Sequence, residues 1–454
     1  MMKYETDSRK VKDGQIFVAI KGHTVDGHDY INDAIKNGAS KIICEHDIDS
    51  SVEYLVVDNT EEYLKNKISE EYKDKIKNLK IIGVTGTSGK TTSCYLIYQM
   101  LLKLGKNASY LGTLGYYNKD IFIEENNTTP DILNLYKLLL KAVEDKVEYL
   151  VMEVSSHSLA FERIKGLELS IGAFTNLSQD HLDYHKTMEA YLNEKLKIMN
   201  YLKDDAYMIV NSDDENSSKF MDYKHVKTFG ENGDYKILEY NILPDHTDLK
   251  FSYDNKEYNT TINLTGKFNI YNYLTCISIL NTLGFSLDDL VLNTKYLYPP
   301  KGRCETIKVK DGFAIIDYAH KPDAVLKILN NYNEFKKNRI ITVIGCGGDR
   351  DPKKRPIMGN IATSNSDIVI FTSDNPRTED PKKILEDITR DNKSDNYIVI
   401  ENRKDAINKG LEILEKDDIL LILGKGHEDY QIIGHVKHHF DDAEIVRDYI
   451  KSIS

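Results

Sequence analysis

The amino-acid sequence predicts an α/β protein with three domains in series, and three observations support this prediction. At 454 residues the chain is too long for one ordinary hydrophobic core. Apolar runs alternate with helix-like stretches over two long segments, a pattern typical of mostly parallel sheets covered by helices. The segment "LYPPKGRCE" (297–305) contains paired prolines and a glycine, which indicate a linker. We therefore expect domains at residues 1–78, 79–299 and 300–454.

The first domain is predicted to be a small α/β unit. Its strand-like runs are 14–20, 41–46 and 53–58, and a helical stretch at 29–40 separates the first two. The charged segment at 61–78 is predicted to form a surface helix.

The second and third domains are predicted to have mostly parallel sheets. In the second, the helices are expected at 93–105 and 269–283, and the strands at 79–86, 148–154, 171–177, 207–211 and 249–264. In the third, apolar strands are expected at 313–317, 339–344, 367–372, 396–401 and 418–424, with helices between them. Ligands of such doubly wound domains bind at the carboxyl ends of strands, so polar side chains at those ends are candidate site residues.

Composition narrows the range of functions. A net charge of −12 argues against a broad nucleic-acid-binding surface, which needs a basic excess. The five cysteines are scattered and form no CxxC pair, so neither a disulfide framework nor a zinc ribbon is indicated. No apolar run approaches membrane-spanning length. We expect a soluble protein of a reducing cytoplasm.

The stretch "GVTGTSGKTT" (83–92) is the strongest motif in the sequence. It follows a predicted strand and opens a predicted helix, which is the context of a phosphate-binding loop. Backbone N–H groups of 86–89 would bind phosphate, Lys90 would reach the terminal phosphates, and Thr91 would coordinate Mg²⁺. Valine replaces the first glycine of the general pattern, and the alternative is a glycine-rich turn that only caps a helix.

Three further groups could carry chemistry in the second domain. Glu153 ends an apolar run beside the loop, so it is either a metal ligand or a helix cap. "DHLDYH" (180–185) spaces two histidines as in zinc proteases, but Leu182 occupies the position of the catalytic glutamate, which excludes that class. Lys195, taken alone, would be a solvated lysine.

Polar residues also follow several strands of the third domain. "YAHKPDAV" (318–325) and "GKGHEDYQ" (424–431) each follow an apolar run, and "DNPR" (374–377) follows another. Such strand exits converge on one edge of a parallel sheet. From the residues alone, Arg377 could bind a phosphate, a carboxylate or a neighbouring glutamate.

Together these motifs resemble the Mur ligase family along essentially the whole chain. The resemblance rests on ordered stretches: "DSRKVKDGQIFVAIKGHTVDGHDYI", "GVTGTSGKTT", "NNTTPD", "MEVSSHSL", "TNLSQDHLDYHKTMEAYLNEK", "GKFNIYN", "KGRCE", "DYAHKPDA", "GCGGDRDPKKRP", "DNPR" and "GKGHE". It implies a small α/β uridine-nucleotide-binding domain, a P-loop ATPase central domain and a Rossmann-like domain that binds the acceptor amino acid.

The resemblance also implies an activity. It is the ATP-dependent, ADP-forming addition of meso-diaminopimelate to the D-Glu γ-carboxylate of UDP-N-acetylmuramoyl-L-Ala-D-Glu, through an acyl phosphate, in cytoplasmic peptidoglycan precursor synthesis. The alternatives are a lysine-adding ligase of the same family, a folate-polyglutamate ligase, and a non-catalytic binder of cell-wall precursors. The expected partners are these small molecules, with the enzyme acting as a monomer, without nucleic acid or membrane.

Residue roles follow from the matching motifs. The residues implied for ATP are Gly86, Thr87, Ser88, Gly89, Lys90, Thr91, Thr92, Asn269, Arg303 and Asp317. Those implied for Mg²⁺ are Thr91, Glu153, His181 and Lys195, the last carbamoylated with CO₂ or bicarbonate to N6-carboxylysine. The UDP-muramoyl dipeptide would contact Ser8, His23, Thr128, Thr129, Ser155 and Arg163. The acceptor would contact Arg350, Asp374, Asn375, Arg377, Gly424 and Glu428, and the catalytic residues would be Lys90, Lys195, His181 and His320.

The resemblance and the physics agree at Arg377. Diaminopimelate carries a second carboxylate at its far end, which a forked guanidinium can bind with two hydrogen bonds. Lysine lacks that carboxylate and would leave the arginine unpaired in a closed site, at a cost in free energy. The sequence therefore predicts diaminopimelate as the acceptor.

Overall fold

The computed structural model describes residues 2–22, 25–119, 121–125 and 127–453. The chain forms two compact units, Met1–Cys94 with Leu101–Thr228, and Tyr95–Met100 with Phe229–Ser454. Three α/β sheet systems follow one another along the chain, as predicted. The predicted domain limits near residues 78 and 299 lie inside the two units. They therefore stay predictions.

The N-terminal sheet has four parallel strands in chain order. The strands are β1 (Tyr4–Glu5), β2 (Ile16–Val18), β3 (Lys41–Cys44) and β4 (Glu53–Val56), and the helices are α1 (Ile31–Lys36) and α2 (Thr60–Ile76). Helix α2 begins where the Asn59 side chain accepts the Glu62 N–H at 2.8 Å. The predicted surface helix has one buried face, because Leu64, Ile68 and Tyr72 recur every four residues and all are buried.

The first unit also contains most of the central sheet. Its strands are β5 (Lys80–Thr85), β6 (Ala108–Gly112), β7 (Gly115–Asn118), β8 (Ile121–Ile123), β9 (Tyr149–Glu153), β10 (Leu169–Phe174) and β11 (Leu202–Asn211), in the order β11-β10-β5-β9-β6-β7-β8. Strands β5, β6, β9, β10 and β11 run parallel, whereas β7 and β8 are antiparallel additions at one edge. The sheet is thus mixed, with a parallel centre.

Helices on this sheet position the site. They are α3 (Lys90–Lys103), α4 (Ile132–Glu144), α5 (Ser156–Ala160), α6 (Leu182–His185), α7 (Met188–Leu196) and α8 (Ser217–Met221). All five residues of β9 are buried, as expected for a strand covered on both faces. Helix α7 begins where the Thr187 hydroxyl accepts the Ala190 N–H at 3.1 Å, and this helix carries Lys195.

The second unit begins with an antiparallel meander. Strand β12 (Val226–Gly230) lies at the unit boundary, and β13 (Tyr235–Ile242), β14 (Thr247–Tyr253), β15 (Lys256–Ile262), α9 (Lys267–Thr282) and α10 (Leu287–Asn293) follow it. The predicted extended run 249–264 is two strands, because the chain reverses at Asp254 and Asn255, with φ angles of 49° and 62°.

The C-terminal sheet has six strands in the order β16-β17-β21-β18-β19-β20. The elements are β16 (Glu305–Val309), β17 (Gly312–Asp317), α11 (Pro322–Asn333), β18 (Ile340–Ile344), α12 (Lys354–Asn365), β19 (Ile368–Phe371), α13 (Pro381–Thr389), β20 (Tyr397–Val399), α14 (Arg403–Glu412), β21 (Ile419–Leu423), β22 (Tyr430–Ile433), β23 (Val436–His439) and α15 (Asp442–Ile453). All neighbours except β16 and β17 pair in parallel, and β22 and β23 form a separate hairpin.

Strand β21 shows why this sheet is doubly wound. Ile419, Leu421 and Leu423 pack into one core, whereas Leu420 and Ile422 pack into the core on the opposite face. A parallel strand that is apolar at every position needs helices on both sides, which confirms the predicted fold class. Within the described ranges, no helix is both long and apolar enough to cross a membrane.

Candidate active site

The predicted phosphate loop connects β5 to α3. Gly86 and Gly89 have φ angles of 151° and 84°, which favour glycine. A Cβ at residue 86 would lie 1.9 Å from the Thr175 hydroxyl oxygen, so no side chain fits there. Strand, glycine-rich loop and helix N-terminus therefore occur in the predicted order, and the helix N-terminus favours bound anions.

Residues after β10 hold this loop in place. The Thr87 N–H donates to the Asn176 carbonyl at 2.8 Å, and the Ser88 N–H donates to the Asn176 side-chain oxygen at 3.0 Å. The Thr175 hydroxyl donates to the Ser88 carbonyl at 2.7 Å. Sequence reasoning missed Thr175 and Asn176. Both residues open the stretch "TNLSQDHLDYHKTMEAYLNEK" that supports the family resemblance, but that resemblance gave them no role. The strand order, which places β10 directly beside β5, brings them to the loop.

Two lysine amines converge on one backbone carbonyl of the loop. Lys90 Nζ donates to the Gly86 oxygen at 2.8 Å, and Lys195 Nζ donates to the same oxygen at 2.8 Å. Lys195 is 1% exposed and lies over the Tyr191 ring. Burial, helped by the Lys90 charge, holds the pKa of Lys195 well below its usual value. The interpretation of Lys195 as a solvated lysine is therefore wrong.

Glu153 receives four hydrogen bonds at the end of β9. Its Oε1 accepts from the Tyr110 hydroxyl at 2.6 Å and from the Thr113 N–H at 2.9 Å. Its Oε2 accepts from the Thr91 hydroxyl at 3.0 Å and from the Thr113 hydroxyl at 3.2 Å. The helix-cap interpretation of Glu153 is wrong, because Ser155 caps α5 instead. Tyr110 and Thr113 are site residues that the sequence did not reveal.

The Glu153 and Thr91 oxygens fit a magnesium ion. Mg²⁺ prefers oxygen ligands and is usually held by one or two carboxylates together with substrate phosphates and water. Among the described residues, no group of three or more His, Cys, Asp or Glu side chains is arranged to hold a metal. A site of this kind would therefore depend on the nucleotide for its remaining ligands.

The predicted magnesium ligand His181 lies in an aromatic cluster. Its ring centroid is 4.9 Å from that of His157, which in turn lies 4.8 Å from the Tyr184 ring and 5.6 Å from the His185 ring. Burial lowers the pKa of both His157 and His185. These two histidines are therefore expected to be neutral near pH 7.

Three residues predicted to hold the muramoyl dipeptide are linked by hydrogen bonds next to Glu153. The Thr128 hydroxyl lies 3.1 Å from the Thr113 hydroxyl, and the Thr129 hydroxyl donates to the Glu153 carbonyl at 2.8 Å. Arg163 donates from Nη1 to the Thr129 carbonyl at 2.8 Å. The structure thus groups Thr128, Thr129 and Arg163 as the sequence suggested.

The structure says little about Ser8 and His23, the two residues predicted to contact the UDP portion. Ser8 is buried in a short 3₁₀ turn, and its carbonyl accepts a hydrogen bond from the Asn37 side chain at 2.9 Å. His23 lies outside the described residues. Their role in uridine binding stays a prediction.

The second unit has its own cluster of predicted residues at the exit of β17. Asp317 accepts hydrogen bonds from the backbone N–H groups of Cys304 and Ala319, both at 2.9 Å, and burial raises the pKa of its carboxyl. The Arg303 guanidinium carbon lies 4.7 Å from the Tyr318 ring centroid. These contacts assemble the predicted pair Arg303 and Asp317 beside an aromatic ring.

Two histidines flank the same tyrosine. The Tyr318 ring centroid lies 4.5 Å from that of His320 and 4.9 Å from that of His427. Burial lowers the pKa of His320, and burial with the charges of Arg303 and Lys301 lowers the pKa of His427 to about 4. His320 Nδ1 lies 2.8 Å from the Tyr318 carbonyl. Because a carbonyl can only accept, Nδ1 carries the proton and Nε2 carries the lone pair.

Asn269, predicted to contact adenine, lies at the start of α9 and is 2% exposed. Its amide nitrogen donates to the Thr265 carbonyl at 2.8 Å, and its side-chain oxygen accepts from the Asn272 amide at 2.8 Å. The role of Asn269 with adenine stays a prediction.

Most of the predicted acceptor residues lie together in the C-terminal domain. Asn375 donates to Glu428 Oε2 at 2.9 Å. A Cβ on Gly424, whose φ is 117°, would lie 2.6 Å from the Asp374 carboxylate. Arg350 is exposed, and no hydrogen bond of its side chain is seen within the described ranges. The strand exits therefore converge as the parallel-sheet argument predicted.

Backbone hydrogen bonds hold Arg377 in place, and its guanidinium makes one hydrogen bond among the described residues. Its φ is 51°, in the left-handed region, and its N–H donates to the Ile432 carbonyl at 3.0 Å. The Gly434 N–H donates back to the Arg377 carbonyl at 2.7 Å. Of its side-chain donors, Nη1 bonds to the Gly348 carbonyl at 2.7 Å. Within the described ranges no carboxylate pairs with this guanidinium.

Family comparisons cover the three parts of the chain in order. Residues 3–84 match the Mur ligase family catalytic domain, residues 84–280 match the Mur ligase middle domain, and residues 302–426 match the Mur ligase glutamate ligase domain. The chain belongs to the Mur ligase family. Members of this family use ATP, which agrees with the phosphate loop between β5 and α3.

Curated relatives match this Mur ligase over almost its full length. A UDP-N-acetylmuramoyl-L-alanyl-D-glutamate–2,6-diaminopimelate ligase of Clostridium botulinum is 42% identical over 99% of this chain and 95% of its own. A protein of the same name from Fusobacterium nucleatum is 43% identical over 98% of this chain and 92% of its own.

Solved structures show the same architecture. A structure titled UDP-N-acetylmuramoyl-L-alanyl-D-glutamate–2,6-diaminopimelate ligase superposes with a TM-score of 0.71, at 31% identity, over 99% of this chain and 94% of its own. The MurF ligase of Thermotoga maritima, solved with ADP, has a TM-score of 0.68 at 21% identity, over 99% and 97% of the two chains. At that identity the second structure supports the fold of this Mur ligase only.

Proposed function

We propose that this Mur ligase adds meso-diaminopimelate to the D-Glu γ-carboxylate of UDP-N-acetylmuramoyl-L-Ala-D-Glu, with ATP as the energy source. Relatives about 40% identical over nearly the whole chain carry the name of that ligase. The observation that supports this acceptor is Arg377, whose guanidinium bonds to the Gly348 carbonyl and pairs with no carboxylate among the described residues. Arg377 lies two residues after Asn375, which contacts Glu428. A cation for the distal carboxylate and an anion for the distal ammonium are what diaminopimelate requires.

In the first half-reaction the γ-carboxylate takes the terminal phosphoryl group of ATP, giving an acyl phosphate and ADP. Backbone N–H groups at the N-terminus of α3 and the Lys90 amine would bind phosphate oxygens, whereas the N–H groups of Thr87 and Ser88 already donate to Asn176. Thr91 and Glu153 would hold Mg²⁺, which when bound neutralises phosphate charge. The chain's own contribution is positioning, since phosphoryl transfer needs alignment and charge balance above all.

Lys195 is proposed to act as a carbamate. Its neutral amine adds to CO₂, and one proton is released, so that a cation becomes an anionic oxygen donor. The buried position and the nearby Lys90 favour the neutral amine that this addition requires. An ammonium at this place could not bind a metal, whereas a carbamate could.

In the second half-reaction the acceptor amine attacks the acyl phosphate. The amide forms, inorganic phosphate leaves, and one amine proton passes to a base. His181 and His320 are the candidates. His320 is supported by its lowered pKa and by its tautomer, which leaves the Nε2 lone pair able to accept a proton.

An acceptor screen tests this function. With the UDP-muramoyl dipeptide and ATP, ADP release is expected to depend on added meso-diaminopimelate, and L-lysine is expected to support at least about a hundredfold lower kcat/KM. Turnover with lysine but not with diaminopimelate would identify the lysine-adding ligase. The absence of ADP release with either acceptor would identify a non-catalytic binder. The monomeric state and the cytoplasmic location remain predictions.

Tyr110→Phe is expected to weaken the metal site without disturbing the sheet. The substitution removes the 2.6 Å hydrogen bond to Glu153 but keeps the ring. A hydrogen bond to a charged group contributes about 1.5–3 kcal/mol, so we expect an approximately tenfold rise in the Mg²⁺ concentration for half-maximal activity. Calorimetric titration of Mg²⁺ with a non-hydrolysable ATP analogue gives a second readout.

Tyr149→Phe is the matched control for this variant. Tyr149 lies at the opposite end of β9, where its hydroxyl accepts from Lys80 at 3.3 Å. Its loss is expected to leave the Mg²⁺ requirement unchanged within about twofold, because a part-exposed hydrogen bond contributes little. An equal effect of both variants would contradict the role given to Tyr110.

A further inference from the structure

Lys425 is a buried cation that the proposed reaction does not use. It follows β21 in "GKGHE" and has no exposed surface. A lysine is almost never fully buried unless it is paired, because an ammonium loses its hydration there. The partners of this lysine are therefore informative.

The two hydrogen-bond partners of Lys425 in the described structure are both predicted acceptor residues. Its Nζ donates to the Asn375 side-chain oxygen at 3.0 Å and to Glu428 Oε2 at 3.3 Å. The same Nζ lies 5.7 Å from the Tyr430 ring centroid. The ammonium is thus held between the two side chains that would meet the far end of the acceptor.

These contacts fix the orientation of the Asn375 amide. Its oxygen faces two groups that can only donate, the Lys425 ammonium and the Ile432 N–H at 2.9 Å. The amide nitrogen must then point at Glu428 Oε2, which it meets at 2.9 Å. Without the Lys425 donor, flipping the Asn375 amide would cost one hydrogen bond fewer. The orientation of Asn375 toward Glu428 would then be less strongly defined.

Lys425 also balances the negative charge of Glu428. The buried Arg403 donates to both oxygens of Asp442 at 2.8 and 2.7 Å, so that pair is neutral. Lys425 pairs in turn with Glu428, its Nζ 3.3 Å from Oε2, so the Glu428 carboxylate also has a balancing cation.

A Glu428 carboxylate whose charge is balanced by Lys425 suits an acceptor whose far end has no net charge. The far end of diaminopimelate carries one ammonium and one carboxylate, so its net charge is zero. The far end of lysine carries only the ammonium. If Lys425 lost its charge, the Glu428 carboxylate would no longer be balanced and would attract a lone ammonium more strongly.

On the basis of the proposed function, we propose that Lys425 is a specificity-determining positioning residue. It orients Asn375 and cancels the charge of Glu428, so that the site selects an acceptor whose far end is a zwitterion and discriminates against one whose far end is a cation. The two effects act together. Loss of the Asn375 orientation weakens the binding of diaminopimelate, and loss of the Lys425 charge strengthens the binding of lysine.

The test measures the ratio of kcat/KM for meso-diaminopimelate to kcat/KM for L-lysine. In Lys425→Met this ratio is expected to fall at least tenfold, with the KM for ATP changed less than twofold. Lys425→Gln keeps an N–H donor but loses the charge, and its ratio is also expected to fall. Lys425→Arg keeps the charge and is expected to retain most of the ratio. An unchanged ratio in folded Lys425→Met or Lys425→Gln protein would overturn the proposal.

Arg339→Met is the control for a lost ion pair in the same domain. Arg339 pairs with the buried Asp418 at 2.6 Å, at the end of the sheet where β18 and β21 begin. This variant is expected to lose thermal stability but to keep the ratio within twofold. A matching loss of the ratio would show that Lys425 acts only through stability. Wild-type protein that does not use diaminopimelate would refute the proposed function instead, so the two failures are distinguishable.

Discussion

Lys195→Ala is expected to lower kcat for ADP release by at least about a thousandfold, a loss typical of a major electrostatic group in a catalytic site. The amine is buried and shares the Gly86 carbonyl with Lys90, and its lowered pKa favours the neutral form that can combine with CO₂. The measurement is steady-state ADP release with saturating substrates. Wild-type activity is expected to fall in CO₂-free buffer and to recover with bicarbonate, and intact-protein mass spectrometry should detect the carboxylated form.

The neighbouring Lys197 provides the control. It lies two residues further along the chain, is half exposed, and pairs with Glu194 at 2.8 Å. Lys197→Ala is expected to retain activity within about twofold, because an exposed ion pair contributes little. Undiminished activity in folded Lys195→Ala protein would refute the carbamate and remove Lys195 from the catalytic residues.

Arg377→Ala is expected to lower kcat/KM for diaminopimelate by about a hundred- to a ten-thousandfold. Two charge-assisted hydrogen bonds to the distal carboxylate would be lost, at roughly 1.5–3 kcal/mol each. The KM for ATP is expected to stay unchanged within about twofold, since the phosphate loop is built from other residues. Kinetics with each substrate varied in turn give the measurement.

Arg377→Lys separates the contribution of the positive charge from that of the forked guanidinium geometry. Lysine keeps the positive charge but cannot form the bidentate contact, so an intermediate loss is expected. Arg390→Ala is the control, because Arg390 is an exposed arginine of the same domain that pairs with Asp387. Loss of ATP affinity together with acceptor affinity in Arg377→Ala would indicate a folding defect and would contradict the proposed contact.

Much of the fold could be predicted because its patterns are local. The phosphate loop between strand and helix, the apolar strands of the last domain and their polar exits were all visible in short stretches of sequence. The order of parallel strands then places such exits at one edge, as found for Asp374, Asn375 and Glu428.

The missed features depend on long-range contacts. Tyr110 meets Glu153 across 43 positions of sequence, and Asn176 meets Ser88 across 88. No local pattern reports such pairs, because they follow from the strand order β10-β5-β9-β6 rather than from periodicity. Strands β7 and β8 were missed for a related reason, since strands of three or four residues are too short to show a clear period.

The sequence by itself determined the family, the doubly wound fold and the presence of an arginine at the exit of β19. These depend on hydrophobic periodicity and on motifs whose residues are close in the chain. Tertiary structure decided which of these side chains are buried and which charged groups lie beside them. Without the family resemblance, nothing in their local sequence distinguishes Lys195 and Lys425 from solvated lysines, yet both are buried against distant groups. Burial and neighbouring charge decide what an amine can do, and both arise only when remote segments pack together.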